Sequence, residues 1–169
     1  ETLYHTFKDK DPLFDPPIST FEPTKKEANV PNINTIPGED VFYMDSRILP
    51  KYTIDQVEQE IKKIAKRIEA KFKVKITWED QQRAPAAPPT SAKAPVVNAL
   101  RTAIREVYKK EAEAKGIGGG TVAALFRRAG YEAAVWSKVD ETAHQPNEFC
   151  HIENMLGDAK VFAHIVLQE

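Results

Sequence analysis

A histidine in a short polar loop is the residue best suited to chemistry. His144 stands in the stretch 141–148, just before a Gln-Pro pair that interrupts regular structure. Neutral imidazole is a frequent ligand of zinc, which takes three or four protein ligands from His, Cys and carboxylate side chains. The nearby carboxylates of Asp140, Glu141 and Glu148 show no spacing as recognisable as the HExxH motif. On local sequence, His144 is therefore either one ligand of a metal site or an ordinary surface histidine.

A glycine-rich loop earlier in the chain could approach a bound group closely. Residues 116–121 read Gly-Ile-Gly-Gly-Gly-Thr and open onto a short amphipathic run. Glycine lets the backbone come near a ligand, and the free N–H groups of a first helical turn favour an anion. Thr121 could donate its hydroxyl to that anion, or it could cap the helix, which would make the loop an ordinary turn. A phosphate loop is disfavoured, because no Lys-Ser/Thr pair follows the glycines.

Arg47 is the cation best placed to bind a carboxylate. It follows a predicted strand and precedes Pro50, which puts it at the end of a sheet. Arginine binds carboxylates through two parallel hydrogen bonds. A pair with Asp45 or Glu39 is the alternative. The single cysteine, Cys150, has no evident histidine partner in sequence, and we expect a buried thiol rather than a nucleophile.

In the first half of the chain, strand and helix patterns place Arg47 at a sheet end. Thr53 and Gln56 form a capping box at the start of a long amphipathic helix. A short helix is predicted around residues 3–7, and strands are predicted at residues 18–24, 41–45 and 74–79. This order predicts an α+β unit with helices on one face of an antiparallel sheet.

In the second half, helical patterns outnumber strand patterns. The Pro/Ala-rich stretch 83–95 is a predicted linker. After it, the patterns predict a helix from 96 to 116, a short helix at 122–129, a buried strand at 133–136 and a last helix with apolar positions 152, 155, 156, 159, 162, 163 and 166. One strand cannot cover three apolar helix faces, so we expect a larger parallel sheet of an α/β domain from sequence outside this chain.

The composition is that of a folded protein, and it argues against several partners. Of the 169 residues, 41% are hydrophobic and 29% are charged, and the net charge of −1 gives no overall field that attracts nucleic acid. No apolar run reaches the ~20 residues needed to span a bilayer, so we expect no membrane partner. A single cysteine fits a reducing compartment, and we expect a cytoplasmic protein. Because the chain opens on what reads as the end of a helix, we expect a fragment of a longer protein.

Taken together, these stretches resemble a zinc amidohydrolase and peptidase family. The family includes acetylornithine deacetylase, succinyl-diaminopimelate desuccinylase, aminoacylase and carboxypeptidase G. The resemblance runs through residues 34–38 (Asn-Thr-Ile-Pro-Gly), 45–47 (Asp-Ser-Arg), 118–121 (Gly-Gly-Gly-Thr) and 143–148 (Ala-His-Gln-Pro-Asn-Glu), in the family's order. It covers nearly the whole chain. One departure follows the glycine loop, where many members have an acidic residue and, two positions later, an arginine instead of Val122 and Ala124.

The resemblance implies a chain in two parts. Residues 1–82 would be the later part of a ferredoxin-like lid domain, which usually forms the contact of a homodimer. Residues 83–95 would be a linker, and residues 96–169 the C-terminal segment of an α/β zinc-peptidase catalytic domain. The other metal ligands and the general base would lie upstream, so no catalytic residue is expected in this chain.

The resemblance also implies roles for five residues. His144 would bind one of two zinc ions, with cobalt or manganese as alternative metals. Gly120, Thr121 and Arg47 would hold the carboxylate of the substrate, and Asn34 would line the site. The expected substrate is an N-acyl amino acid or a short peptide with a free carboxylate. The main rival is a non-catalytic dimerisation or interaction module, and a phosphate-binding domain built on the glycine loop is a third interpretation.

Overall fold

The computed structural model describes residues 1–168, so Glu169, the last residue of the predicted catalytic segment, lies outside the described residues. The helices are α1 (Thr2–Thr6), α2 (Ile54–Phe72), α3 (Pro95–Tyr108), α4 (Ala123–Arg128) and α5 (Ile152–Val166), and the strands are β1 (Phe14–Asp15), β2 (Thr20–Lys26), β3 (Phe42–Arg47) and β4 (Gly116–Ile117). This mixture of helix and strand confirms the α+β class in general terms. No helix within the described residues is long and apolar enough to cross a membrane.

The chain divides into two units. The first comprises residues 1–86 and 116–119, and the second comprises residues 87–115 and the chain from residue 120 onward. The glycine loop is therefore shared between the two units. The assignment of residues 1–82 to a lid and of residues 96–169 to a catalytic domain stays a prediction.

In the first unit, β2 and β3 form an antiparallel pair that ends at Arg47. The register runs from Thr20 opposite Arg47 to Lys26 opposite Phe42, so the strands predicted at 18–24 and 41–45 are confirmed with small shifts. Ser19, which is fully buried, accepts a hydrogen bond from the Leu49 N–H at 3.0 Å. A buried N–H needs such a partner, and this one ties the chain after β3 to the start of β2.

The long helix α2 covers the core of this unit. Its N-cap is Thr53, and the predicted capping box with Gln56 is present. Val57 is almost fully buried. The core cluster comprises Leu3, Phe7, Phe21 and Val57. The apolar side of α2 therefore packs into a cluster that also contains α1 and Phe21 of β2, whereas Ile68 further along the helix is exposed.

Two predicted strands are wrong. Within the described residues, neither 74–79 nor 133–136 pairs with a neighbouring strand. A strand is stable only when its backbone groups bond to a partner strand, and side chains satisfy some of these groups here. The Ile76 N–H donates to a carboxylate oxygen of Glu69 at 2.8 Å, and Ala133 exchanges two hydrogen bonds with the Thr90 hydroxyl.

The second unit is organised by the packing of α3 against α5. The core cluster of this unit comprises Leu100, Ala103, Ile104 and Val161. Pro95 occupies the first turn of α3, where its missing N–H costs nothing. The predicted extension of this helix to residue 116 is wrong, because α3 ends at Tyr108 and Lys109 adopts a left-handed conformation with φ of 53°. Residues 110–115 are mostly charged and offer no apolar stripe whose burial could stabilise further turns.

The last helix has the predicted position but buries a different face. Its buried residues are Asn154, Gly157 and Val161. The predicted apolar stripe, comprising residues 152, 155, 156, 159, 162, 163 and 166, is exposed within the described residues. Because α5 has small or apolar residues on several faces, periodicity did not determine which face meets α3.

Candidate functional site

His144 lies at the tip of a tight turn whose backbone is partly left-handed. His144 has a φ of 62° and Asn147 has a φ of 61°, conformations that are uncommon outside glycine. The backbone N–H of His144 donates a hydrogen bond to a carboxylate oxygen of Glu148 at 3.1 Å. The Thr142 hydroxyl donates to the Phe149 carbonyl at 3.2 Å and closes the base of the turn. These contacts leave His144 exposed to solvent at the end of a locally closed loop.

The described residues do not by themselves assemble a metal site around His144. Residues 1–168 contain no group of three or more His, Cys, Asp or Glu side chains able to hold a metal ion. Glu148, one of the candidate ligands near it in sequence, uses a carboxylate oxygen to bind the backbone N–H of His144 instead. The donor type of His144 fits a divalent metal, but one imidazole is less than the three or four protein ligands that zinc requires.

The prediction that Cys150 is buried is wrong. Its thiol is free and exposed, and Sγ lies 3.6 Å from the His151 carbonyl oxygen. Neighbouring Phe149 is itself 52% exposed, so this stretch runs over the surface before α5 begins. Hydrophobic neighbours in sequence do not bury a residue in a segment that packs under no other element.

Arg47 binds both its neighbour in β3 and the glycine loop. Its Nε donates to Asp45 at 2.6 Å, which is the ion pair given above as an alternative. Its Nη1 donates to the Gly118 carbonyl at 3.2 Å. A Cβ on Gly118 would lie 3.5 Å from the Arg47 Cβ, so this side of the loop lies directly against the arginine. The structure thus brings together Arg47 and the first part of the loop, both in the first unit.

Thr121 does not cap the short helix that follows the loop. The N-cap of α4 is Val122, and no side chain caps it. The Thr121 hydroxyl oxygen is buried and has no hydrogen-bond partner among residues 1–168. A buried hydroxyl without a partner costs about 1–3 kcal/mol, which makes it a candidate for binding a group from outside the chain. Gly120 and Asn34 are both exposed.

The sequence patterns did not indicate a polar network behind the His144 turn. Asp158 of α5 accepts hydrogen bonds from Trp136 Nε1 at 3.0 Å and from the Tyr108 hydroxyl at 3.3 Å. Burial raises the pKa of Tyr108, and the charge and hydrogen bond of Asp158 raise it further, so the phenol stays protonated and can donate. Asp158, which stands between Gly157 and Ala159, was the available signal, since a carboxylate that leaves water requires partners.

Comparison with known proteins assigns to one class the chain that carries the strand-end arginine, the glycine loop and the histidine turn. Residues 10–168 match peptidase family M20/M25/M40, and this chain belongs to that family. It is 40% identical over 179 residues to an uncharacterized metallohydrolase of Methanococcus maripaludis, covering 98% of this chain and 43% of that protein. It is also 40% identical over 173 residues to an uncharacterized metallohydrolase of Methanocaldococcus jannaschii, covering 97% of this chain and 42% of that protein.

A more distant relative is a succinyl-diaminopimelate desuccinylase of Marinobacter nauticus. The identity is 25% over 168 residues, covering 99% of this chain and 43% of that protein. The chain therefore spans less than half the length of these curated relatives. Family membership confirms the resemblance recognised from the motifs.

Proposed function

We propose that this chain is part of a metal-dependent hydrolase that cleaves the amide bond of an N-acyl amino acid or a short peptide with a free carboxylate. The observation that carries the proposal is the match of residues 10–168 to a peptidase family, together with relatives named as metallohydrolases. The desuccinylase relative, although distant, is named for the removal of an acyl group from an amino acid, which supports the proposed substrate class.

In this proposal, His144 supplies one ligand to the metal. Its imidazole is exposed at the tip of a turn fixed by internal hydrogen bonds, which suits a ligand that must meet others from elsewhere. The remaining ligands would come from the part of the relatives' length that this chain does not span. A pair of zinc ions is the proposed complement, with cobalt or manganese as alternatives. A bound divalent metal would polarise the amide carbonyl.

The substrate carboxylate is proposed to meet Arg47, Gly120 and Thr121. Arg47 has five N–H donors, and the bonds to Asp45 and to the Gly118 carbonyl use two of them. The buried, unpaired hydroxyl of Thr121 supports a second contact. Gly120 has open space where a Cβ would stand, which allows close approach to its backbone. The role of Asn34 in lining the site rests on the family resemblance alone.

The rival interpretation is a non-catalytic dimerisation or interaction module. Neither the family match nor the metallohydrolase relatives favour it. Homodimerisation through the first unit remains compatible with an enzyme, and we propose it as the assembly. Sedimentation of the parent protein at several concentrations would test this assembly directly.

Replacing His144 by alanine in the parent protein tests the proposed function. We expect metal content, measured by elemental analysis, to fall in His144→Ala and hydrolysis of N-acyl amino acids to be nearly abolished, because one ligand of the site is lost. His151→Ala is the matched control, since His151 is an exposed histidine seven positions further along and should leave both unchanged. Full metal content and activity in His144→Ala would contradict the proposed role.

A further inference from the structure

The carboxylate of Asp158 holds the segment that leads into the His144 turn. Besides the hydrogen bond from the indole of Trp136, it accepts one from the Ser137 hydroxyl at 2.8 Å. It also accepts one from the backbone N–H of Lys138, which lies 3.1 Å from both carboxylate oxygens. Three consecutive residues thus bind one side chain of α5. Bonds of this kind, with a charged acceptor, are stronger than neutral ones.

A second side chain of α5 continues this contact one turn earlier. Asn154 is 4% exposed, and its Nδ2 donates to Asp140 Oδ2 at 3.1 Å. Residues four apart lie on the same face of a helix, so Asn154 and Asp158 together bind residues 136–140. Asp140 directly precedes the turn that presents His144.

The packing of α5 on α3 depends on a glycine beside this pair. A Cβ at Gly157 would lie 2.1 Å from the Tyr108 hydroxyl oxygen and 2.7 Å from the ring carbon that bears it. Glycine therefore makes room for Tyr108 to reach Asp158, and Tyr108 also packs against the Trp136 ring at 5.9 Å between centroids. Asp158 therefore binds Tyr108 of α3 as well as residues 136–138.

Residues 136–140 have no strand partner within the described chain that could fix them instead. The turn is closed by its own hydrogen bonds. Its position therefore depends on the segments at its two ends. Its far end runs directly into α5 at Ile152. The same helix therefore anchors both ends of the turn, one through side chains and the other through the backbone.

We propose that Asn154 and Asp158 are positioning residues that fix the His144 turn for metal binding. This inference rests on the proposed function of His144. A metal ligand must be held within a fraction of an ångström, and loss of an orienting partner behind a ligand typically costs 10- to 100-fold in metal affinity. Asn154 and Asp158 do not touch His144 and act on it through residues 136–140. We therefore expect a loss in the lower part of that range.

The test is the Zn²⁺ dissociation constant of the parent protein, measured by competition with a chelator. Asp158→Asn and Asn154→Ala should each raise this constant about tenfold, and saturating zinc should restore most of kcat. Glu153→Gln is the matched control on the exposed face of α5 and should leave the constant unchanged. Leu100→Ala removes core packing but leaves the hydrogen-bonding groups of Asn154, Asp158 and residues 136–140 in place, and it shows what instability alone does.

An exchange of side chains separates positioning from general stability. Asn154→Asp alone places two carboxylates where a 3.1 Å hydrogen bond now lies, and it should weaken zinc binding. Adding Asp140→Asn restores the donor and acceptor in reversed order, and it should recover zinc affinity.

Three results would overturn the inference. Unchanged zinc affinity in Asp158→Asn and Asn154→Ala, beside weakened affinity in His144→Ala, would overturn it and leave the proposed function standing. A loss no larger than that of Leu100→Ala at equal Tm, without recovery in the exchanged pair, would assign both residues to stability alone. Unchanged zinc affinity in His144→Ala would show that His144 is not a metal ligand, and the inference would then fail together with the proposed function.

Discussion

Replacing Arg47 by alanine would separate a substrate-binding role from a structural one. The Arg47 and Asp45 side chains are 51% and 43% exposed, and an exposed ion pair contributes only about 0–1 kcal/mol to stability. The bond to the Gly118 carbonyl adds about 1 kcal/mol. Arg47→Ala should therefore lower the free energy of unfolding by no more than about 2 kcal/mol.

The expected effect on catalysis follows from the same contacts. A two-bond contact with a shielded carboxylate contributes about 1.5–3 kcal/mol. If the substrate carboxylate binds the two terminal nitrogens and displaces the Gly118 carbonyl from Nη1, the loss of that bond subtracts about 1 kcal/mol from this gain. The net loss in Arg47→Ala is then about 0.5–2 kcal/mol, which corresponds to a roughly 2- to 30-fold lower kcat/KM.

The assay compares a free-carboxylate substrate with its amide in the parent protein. Arg47→Ala should lose activity on the acid and little on the amide, and Arg47→Lys should recover only part, because a point charge cannot form two parallel bonds. Arg83→Ala is the matched control, since Arg83 also pairs with carboxylates, those of the exposed Asp55 and the half-buried Glu58. Equal losses for acid and amide would show that Arg47 supports the fold and does not bind the substrate.

Two further predictions concern stability. Gly157→Ala should lower the free energy of unfolding, measured in urea, by about 1–3 kcal/mol, because the new Cβ would lie 2.1 Å from the Tyr108 hydroxyl. The cost of this overpacking exceeds the roughly 1 kcal/mol by which alanine is favoured over glycine in a helix. Adding Tyr108→Phe should recover part of that loss, and a stabilised Gly157→Ala would contradict the packing. A hydrogen bond from Lys26 and another from Asn29 lower the pKa of Asp40 below its ordinary value of 3.8. Ionised Asp40 therefore stabilises the fold above pH 3.8, and this stabilisation is lost as the pH falls through the lowered pKa. Wild type should therefore melt above Asp40→Asn at about pH 6, with the difference in Tm shrinking below pH 3.8, and a constant difference would exclude this linkage.

The sequence by itself determined the elements that depend on local interactions. The capping box at Thr53 is formed by residues three apart, so its chemistry is legible in the sequence. The helix α4 also follows from local sequence, since it ends two residues before Gly130, which has a φ of 88°. The family was legible too, because the motifs around His144 and Arg47 resemble those of the family that residues 10–168 match.

Tertiary structure alone decided which patterns became strands and which faces became buried. Residues 74–79 alternate as a strand should, yet pairing requires a partner that no local pattern specifies. The buried face of α5 was fixed by the fit of Gly157 to Tyr108, a contact between residues about fifty positions apart. The partners of Asp158 come from α3 and from residues 136–138, so the sequence did not show which groups it binds. Periodicity records the apolar character of a face, whereas burial depends on which surface reaches it in the folded chain.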